Sequence, residues 1–386
     1  MKRLSGYRIM ATALALAAGL AVLVAGCDRP APTPGGGVDV GARMSATPDP
    51  GFARAYRPRD FVFPADHGPH PAFATEWWYF TGNLQSADGA HFGYQLTLFR
   101  VGLKPGEAPD DSPWRSHQLL MGHLAVSDID RRQHHRAERF SRAAAGLAGA
   151  TTSPLRVWLG PWTISGSVAS ETAFPLQLSA ADAAFGLDLV LSPSAKPVVL
   201  QGDRGLSQKG AEPGNASYYY SMTRLPTRGR LTIGERTFDA SGDSWFDREW
   251  SSSALAPDQA GWDWFALQLD DGRDLMYYQM RGRDGRPQRF SKGVIVAADG
   301  QVTPLAHDQV ELTVQRRWTA ENGTTYPLRW RLHVPAHGLD LDVDAAFDDQ
   351  LMDLAVHYWE GAVTVGGSHR GVGYLELSGY SDGNGR

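Results

Sequence analysis

The sequence predicts an all-β protein built as two tandem antiparallel β-barrels with few short helices. Three observations carry this. Apolar and polar residues alternate with period two: Phe92, Tyr94, Leu96 and Leu98 share one strand face, Leu328, Trp330, Leu332 and Val334 another, and Leu339, Leu341 and Val343 a third. The pairs Asp88-Gly89, Asp271-Gly272, Asp284-Gly285, Asp299-Gly300 and Asn322-Gly323 supply hairpin turns between such runs. Nowhere does a helical period persist between two caps; the best short helical candidates are residues 179–184 and 251–259.

From the N-terminus, Lys2, Arg3 and Arg8 precede an apolar run from Ile9 to Val24, the layout of a secretory signal over residues 1–26. Val24-Ala25-Gly26-Cys27 resembles the bacterial lipobox, and Cys27, the single cysteine of the chain, falls on the position that would be acylated. Each methylene of a buried acyl chain contributes roughly 0.8 kcal/mol, so several chains together anchor a protein durably. Asp28 directs the expectation toward the periplasmic leaflet of the inner membrane. Residues 28–51, rich in Pro, Gly and small polar residues, read as a flexible tether, with folding expected from Phe52 to about Tyr380.

Composition bounds the rest. With 37 Lys plus Arg against 42 Asp plus Glu the formal net charge is −5, which argues against nucleic-acid binding through counterion release. A lone cysteine excludes a disulfide framework or a cysteine zinc site within one chain.

The body carries a weak internal repeat. Glu76-Trp77-Trp78-Tyr79-Phe80 followed by Asp88-Gly89 is echoed by Trp262-Asp263-Trp264-Phe265 followed by Asp271-Gly272, and Tyr219-Tyr220 is echoed by Tyr358-Trp359. Two copies of one β unit follow, with domains expected at 52–238 and 239–386. A closed barrel of this size removes its sheet edges and can enclose a small ligand.

Four motifs then identify a likeness: Glu76 to Leu84 (EWWYFTGNL), Gly122 to Asp128 (GHLAVSD), Gly242 to Trp250 (GDSWFDREW) and Gly373 to Tyr380 (GYLELSGY). Together they resemble the AttH/CrtC family, also labelled secreted hydrolase or carotenoid 1,2-hydratase-like, over about residues 60–380. The resemblance implies two lipocalin-like barrels. Its hydratase branch adds water to an isoprenoid double bond without a cofactor, which requires an acid, a wall that stabilises a carbocation and a positioned water. Against the branch's Asp-His-Asn-Trp and Tyr-x-Asp patterns, Trp250 and Tyr277 match, whereas Arg248 and Gln279 depart, and neither of these donates a strong proton. Asp263, Asp274 or Glu249 are the substitute acids.

Asp243, Asp247 and Glu249 stand at period-two spacing and would share a strand face, either as catalytic carboxylates with raised pKa or as partners of Arg224, Arg228 or Arg230 at a domain junction. Ligand contacts are expected from Trp245, Arg248, Trp250, Tyr277 and Gln279, and from Glu76, Trp78, His123 and Glu360; for Glu76 and His123 a purely structural part inside a barrel is the competing reading. Glu376 also lies on a strand that can face a lumen. His117 and His123 lack a third ligand, so no metal is expected. His134 and His135 read as a solvated hairpin tip, and Asp340, Asp342 and Asp344 as a solvated outer face. No Gly-x-Ser-x-Gly elbow or phosphate-binding glycine loop occurs.

These features point to a periplasm-facing lipoprotein that binds or processes an apolar small molecule, an isoprenoid or lipid, inside a barrel or between the two. The alternatives are a carotenoid 1,2-hydratase-like hydro-lyase and a structural lipoprotein; the family likeness adds an ABC-type permease as a partner.

Overall fold

Two-faced segments of this kind bury their apolar face only by pairing edge to edge, which also satisfies their backbone groups. The computed structural model describes residues 50–108, 111–253 and 255–380; the signal-like segment, Cys27, Asp28 and most of the tether lie outside the described residues. The first sheet contains β1 (Thr75–Ser86), β2 (His91–Gly102), β3 (Gln118–Asp128), β4 (Gln133–Arg142), β5 (Ala148–Thr152), β6 (Leu155–Leu159), β7 (Trp162–Ser165), β8 (Leu176–Ala181), β9 (Phe185–Leu191), β10 (Val199–Leu200), β11 (Leu206–Gln208), β12 (Ala216–Ile233) and β13 (Arg236–Ser251). The second contains β14 (Gln259–Leu269), β15 (Asp274–Gly282), β16 (Lys292–Val296), β17 (Val302–Ala306), β18 (Glu311–Thr319), β19 (Thr325–Val334), β20 (Leu339–Ala345), β21 (Leu351–Asp353), β22 (His357–Gly367) and β23 (Gly371–Leu377).

Both sheets are antiparallel and curl, one into a nearly closed barrel and the other into a half-barrel. Their order repeats. β4-β3-β2-β1-β13-β12-β9 in the first matches β17-β16-β15-β14-β23-β22-β20 in the second. The sequence echo is therefore a structural one: each opening hairpin lies beside the closing strand of its own sheet.

The change of sheet differs from the expected division at 238/239. Residues 239–251 are the far part of β13, which pairs with β1 and β12, so the Gly242–Trp250 motif closes the first sheet and the second begins at Gln259. The helical candidates also fail. Residues 179–181 belong to β8 and residues 251–259 enclose no described helix; the helical elements among the described residues are three single 3-10 turns. His134 and His135 stand on β4, where Ser127 Oγ meets His134 Nδ1 at 2.9 Å, not on a tip. Asp340 and Asp344 join an outer ladder of ion pairs with Arg331 and Arg316.

Neither interior is an open cup. Trp78, Phe80, Leu96, Tyr220, Phe246 and Trp250 pack inside the first barrel, and Phe265, Tyr277, Trp330, Leu341, Trp359 and Leu375 inside the second. A third apolar cluster, with Tyr79, Tyr219, Trp245, Trp264, Met276 and Tyr374, joins the outer faces of the two sheets. At this seam the chains approach closely at Gly93, where a β-carbon would fall 2.7 Å from the Tyr374 hydroxyl and 2.9 Å from Ala362 Cβ. A polar tie supplements it: buried Asp274 on β15 accepts Lys196 Nζ at 2.6 Å, Thr223 Oγ1 at 2.6 Å and Arg224 Nη2 at 2.7 Å from the first half.

Candidate functional site

Strand alternation decides which side chains reach the seam. On β1 and β13 the odd-numbered residues Trp77, Tyr79, Asp247 and Glu249 point outward, and the even-numbered Glu76, Trp78, Arg248 and Trp250 point into the first barrel. On β14, β15, β22 and β23 the parity is reversed: Trp262, Trp264, Tyr278, Glu360 and Glu376 face the seam, with Asp263, Tyr277 and Gln279 on the opposite face.

Register then assembles rows. Across the first wall run Thr97–Tyr79–Asp247–Ser221 and Phe99–Trp77–Glu249–Tyr219. Across the second runs Tyr278–Trp264–Glu376–Glu360. Between the walls lies a partly enclosed cleft. Its surface is mostly aromatic and apolar, with four carboxyl groups and one ammonium set into it.

The four acids are not equivalent. Asp247 receives Ser221 Oγ at 2.6 Å, Trp245 Nε1 at 2.7 Å and Tyr219 Oη at 2.5 Å. Burial nevertheless pushes its pKa up to about 7. Glu249 holds Lys209 Nζ at 3.2 Å, and that ammonium lies 4.1 Å from the centroid of the Tyr278 ring. Burial alone would lower Lys209, but the charges and hydrogen bonds of Glu249 and Tyr278 together outweigh it, so the amine stays protonated. Glu376 accepts Trp262 Nε1 at 3.0 Å, and burial, reinforced by the Asp247 and Glu249 charges, raises it to about 7. Glu360 is raised well above the carboxylate range by burial and then by Glu376 opposite it. Neither Glu360 oxygen makes a hydrogen bond of good geometry; the nearby Tyr79 and Tyr358 hydroxyls favour its anion only weakly against burial.

Of the residues singled out from sequence, Asp247, Glu249, Glu360 and Glu376 line the cleft. Trp245 supports Asp247 from behind, and His123 supports the wall by pairing its Nδ1 with the Tyr358 hydroxyl at 2.7 Å; burial lowers its pKa to about 3, so the ring is neutral. The others stand elsewhere. Asp243 is half-exposed and pairs with Arg224 Nη1 at 3.4 Å, at the junction. Glu76 is clamped in the first barrel by Arg100 and Arg248, the latter 3.9 Å from the Trp78 ring centroid, with His70 stacked 3.7 Å from Trp250. Burial would raise Glu76, but the Arg248 and Arg100 charges and a hydrogen bond from His70 hold it well below its usual range. Tyr277 packs in the second core, where Gln279 Nε2 donates to Asp263 Oδ2 at 3.1 Å. Asp263 is further taken by Arg281 and Tyr380, and Asp274 by the seam tie. Tyr79, Lys209, Tyr219, Trp262 and Trp264 complete the cleft. The parity that places them was present in the repeat, but it becomes informative only once the inner face of each sheet is known.

Among the described residues no group of three or more His, Cys, Asp or Glu side chains is arranged to hold a metal ion.

Fold and site define a class: a double-barrel β protein with an acid-bearing, aromatic cleft between the barrels. The chain belongs to the AttH-like family, whose model matches residues 54–380. The structure of an AttH-like protein from Nitrosomonas europaea superposes with a TM-score of 0.76 at 32% identity, covering 86% of this chain and 100% of that one. Kievitone hydratase of Nectria haematococca shares the fold, with a TM-score of 0.64 at 18% identity over 86% of this chain and 96% of its own. No curated protein matches the chain.

Proposed function

We propose that the protein binds an apolar small molecule, an isoprenoid or lipid, in the seam cleft and transforms it by cofactor-independent acid–base chemistry, hydration of a carbon–carbon double bond being the reaction these groups fit. The observation that carries this is the facing of two carboxyl sets across aromatic walls: Glu360 and Glu376 on one sheet, Asp247 on the other. A carboxyl kept neutral near pH 7 can protonate an alkene. Trp262, Trp264 and Tyr79 offer π faces to the tertiary cation that results. Asp247, whose three donors favour its anionic form, accepts a proton from the water that attacks this cation. Asp247 then gives its proton up to solvent and the acid takes one from it, so one water is added to the double bond and nothing else changes.

The kinship of fold with a hydratase supports this reading. We place the protein at the periplasmic face of the cell envelope, anchored through Cys27, where the cleft would meet lipophiles leaving the bilayer; an ABC-type export permease is the partner such a handler would serve.

Native mass spectrometry of the protein purified from its own host tests the binding. A co-purifying lipophile supports the reading, and its incubation with protein in isotopically heavy water should yield a labelled alcohol with wild type but not with Glu376→Gln. Protein that carries no lipophile and binds none from a host lipid extract overturns it.

A further inference from the structure

Most polar atoms in the cleft wall are already matched within the protein. Asp247 takes three donors, Glu249 takes Lys209, Glu376 takes Trp262, Tyr219 donates to Asp247 while accepting Trp264 Nε1 at 3.2 Å, and the Tyr278 hydroxyl pairs with Ser207 Oγ at 2.8 Å. One corner differs. The Tyr79 hydroxyl and both oxygens of Glu360 make no hydrogen bond of good geometry: their near neighbours are each other and the Tyr358 hydroxyl, which His123 Nδ1 already engages, although Tyr79 is 6% and Glu360 1% exposed. The two residues are neighbours, one from each sheet, and both face the cleft. The remaining unmatched side-chain atom of the lining is Asn215 Oδ1.

Buried polar atoms without well-formed hydrogen bonds are costly, and a pair of them meeting from two sheets in a cleft whose other polar groups are mostly matched calls for a polar atom brought from outside. A neutral carboxyl offers one O–H and one acceptor oxygen, and a phenol one O–H. Two converging O–H donors match the two lone pairs of a single carbonyl or hydroxyl oxygen.

Resting on the reading of the cleft as a lipophile site, we propose that Tyr79 and Glu360 clamp an oxygen atom of the bound molecule, so that the ligand is an oxygenated lipophile, an alcohol, phenol or ketone, and not a bare hydrocarbon. This divides the acid pair. Glu360 orients the ligand through its oxygen, and Glu376, across the ladder and steadied by Trp262, is the member that gives up a proton.

Farnesol and its hydrocarbon counterpart farnesene form a matched probe pair. Their binding to the full chain in detergent is read from the fluorescence of Trp77, Trp262 and Trp264 in the cleft wall. Hydrophobic transfer alone favours farnesene, so preference for the alcohol reports hydrogen bonding. Wild type should bind farnesol about tenfold or more tightly than farnesene, the effect of two neutral hydrogen bonds. Tyr79→Phe should bring the ratio close to one while leaving farnesene affinity in place, and Glu360→Met, with its fold checked by circular dichroism, should do the same. Equal affinities in wild type, or a preference that survives both substitutions, would overturn the clamp, that corner then serving a reactant water. Binding of neither probe would count against the cleft reading itself and take the clamp with it.

Discussion

Glu360 and Glu376 stand directly opposite each other on the β22–β23 ladder, and both side chains turn toward the seam between the barrels. Directly opposed side chains have Cβ atoms about 5 Å apart, so two full charges there repel strongly in a buried setting. Burial, together with neighbouring carboxylates, keeps both carboxyls above their ordinary range.

A pH dependence of stability follows. The unfolded chain releases these protons near 4.5, whereas folded Glu376 holds its proton to about 7 and burial raises Glu360 well above its ordinary value. Their contribution is complete below the unfolded value and is lost as pH rises through the folded ones. Urea unfolding at pH 4 and pH 8 should show Glu376→Gln gaining on wild type by on the order of 1–3 kcal/mol at the higher pH. His123, held neutral to about 3, acts in the opposite sense below its ordinary value, but equally in both proteins. An identical pH profile for the two would mean that Glu376 is ionised in the native state.

Glu76 is a support of the first barrel, remote in role from the cleft. Glu76→Ala leaves Arg100 and Arg248 buried without their counter-charge, which costs about 3–5 kcal/mol. Ligand affinity, measured on the folded fraction, should not change. A folded, stable variant with weakened binding would return Glu76 to the site.

Gly93 tests the closeness of the two sheets. Its missing side chain admits the Tyr374 hydroxyl and Ala362 from the second sheet. Gly93→Val should lower stability by about 1–3 kcal/mol through overpacking, seen as a reduced melting temperature. An unchanged melting temperature would show that the seam yields freely.

Met280 lines the cleft on the row of Trp262. Met280→Trp fills space that the ligand would occupy, so lipophile affinity should fall at least about tenfold, while a cleft side chain free to swing into open volume limits the stability loss to roughly 1 kcal/mol. Titration of both proteins with farnesol, followed by calorimetry, separates the two effects; undiminished affinity would put the ligand elsewhere.

Some of this molecule was legible early. The alternating runs became strands because side-chain period and strand geometry are the same periodicity, and the Asp-Gly and Asn-Gly pairs fell at hairpin turns. The Trp77 and Trp262 segments occupy matching places in the two sheets. Asp247, Glu249 and Glu360 reached the cleft, whereas Arg248 and Trp250, one residue along the same strand as the acids, did not, because a step of one residue reverses the face. Asp243 shares their parity but meets Arg224 near the register shift between Met222 and Leu225.

The sequence by itself determined the all-β class and the doubled unit, because periodicity, turn chemistry and composition are local properties. Tertiary structure decided that the filled faces are the barrel interiors and that the usable space lies outside them, and it brought Tyr79 and Asp247 to face Glu360 and Glu376. Pairing partners far apart in the chain and the packing of one sheet against another set that arrangement, and neither leaves a mark on the spacing of residues along a single strand.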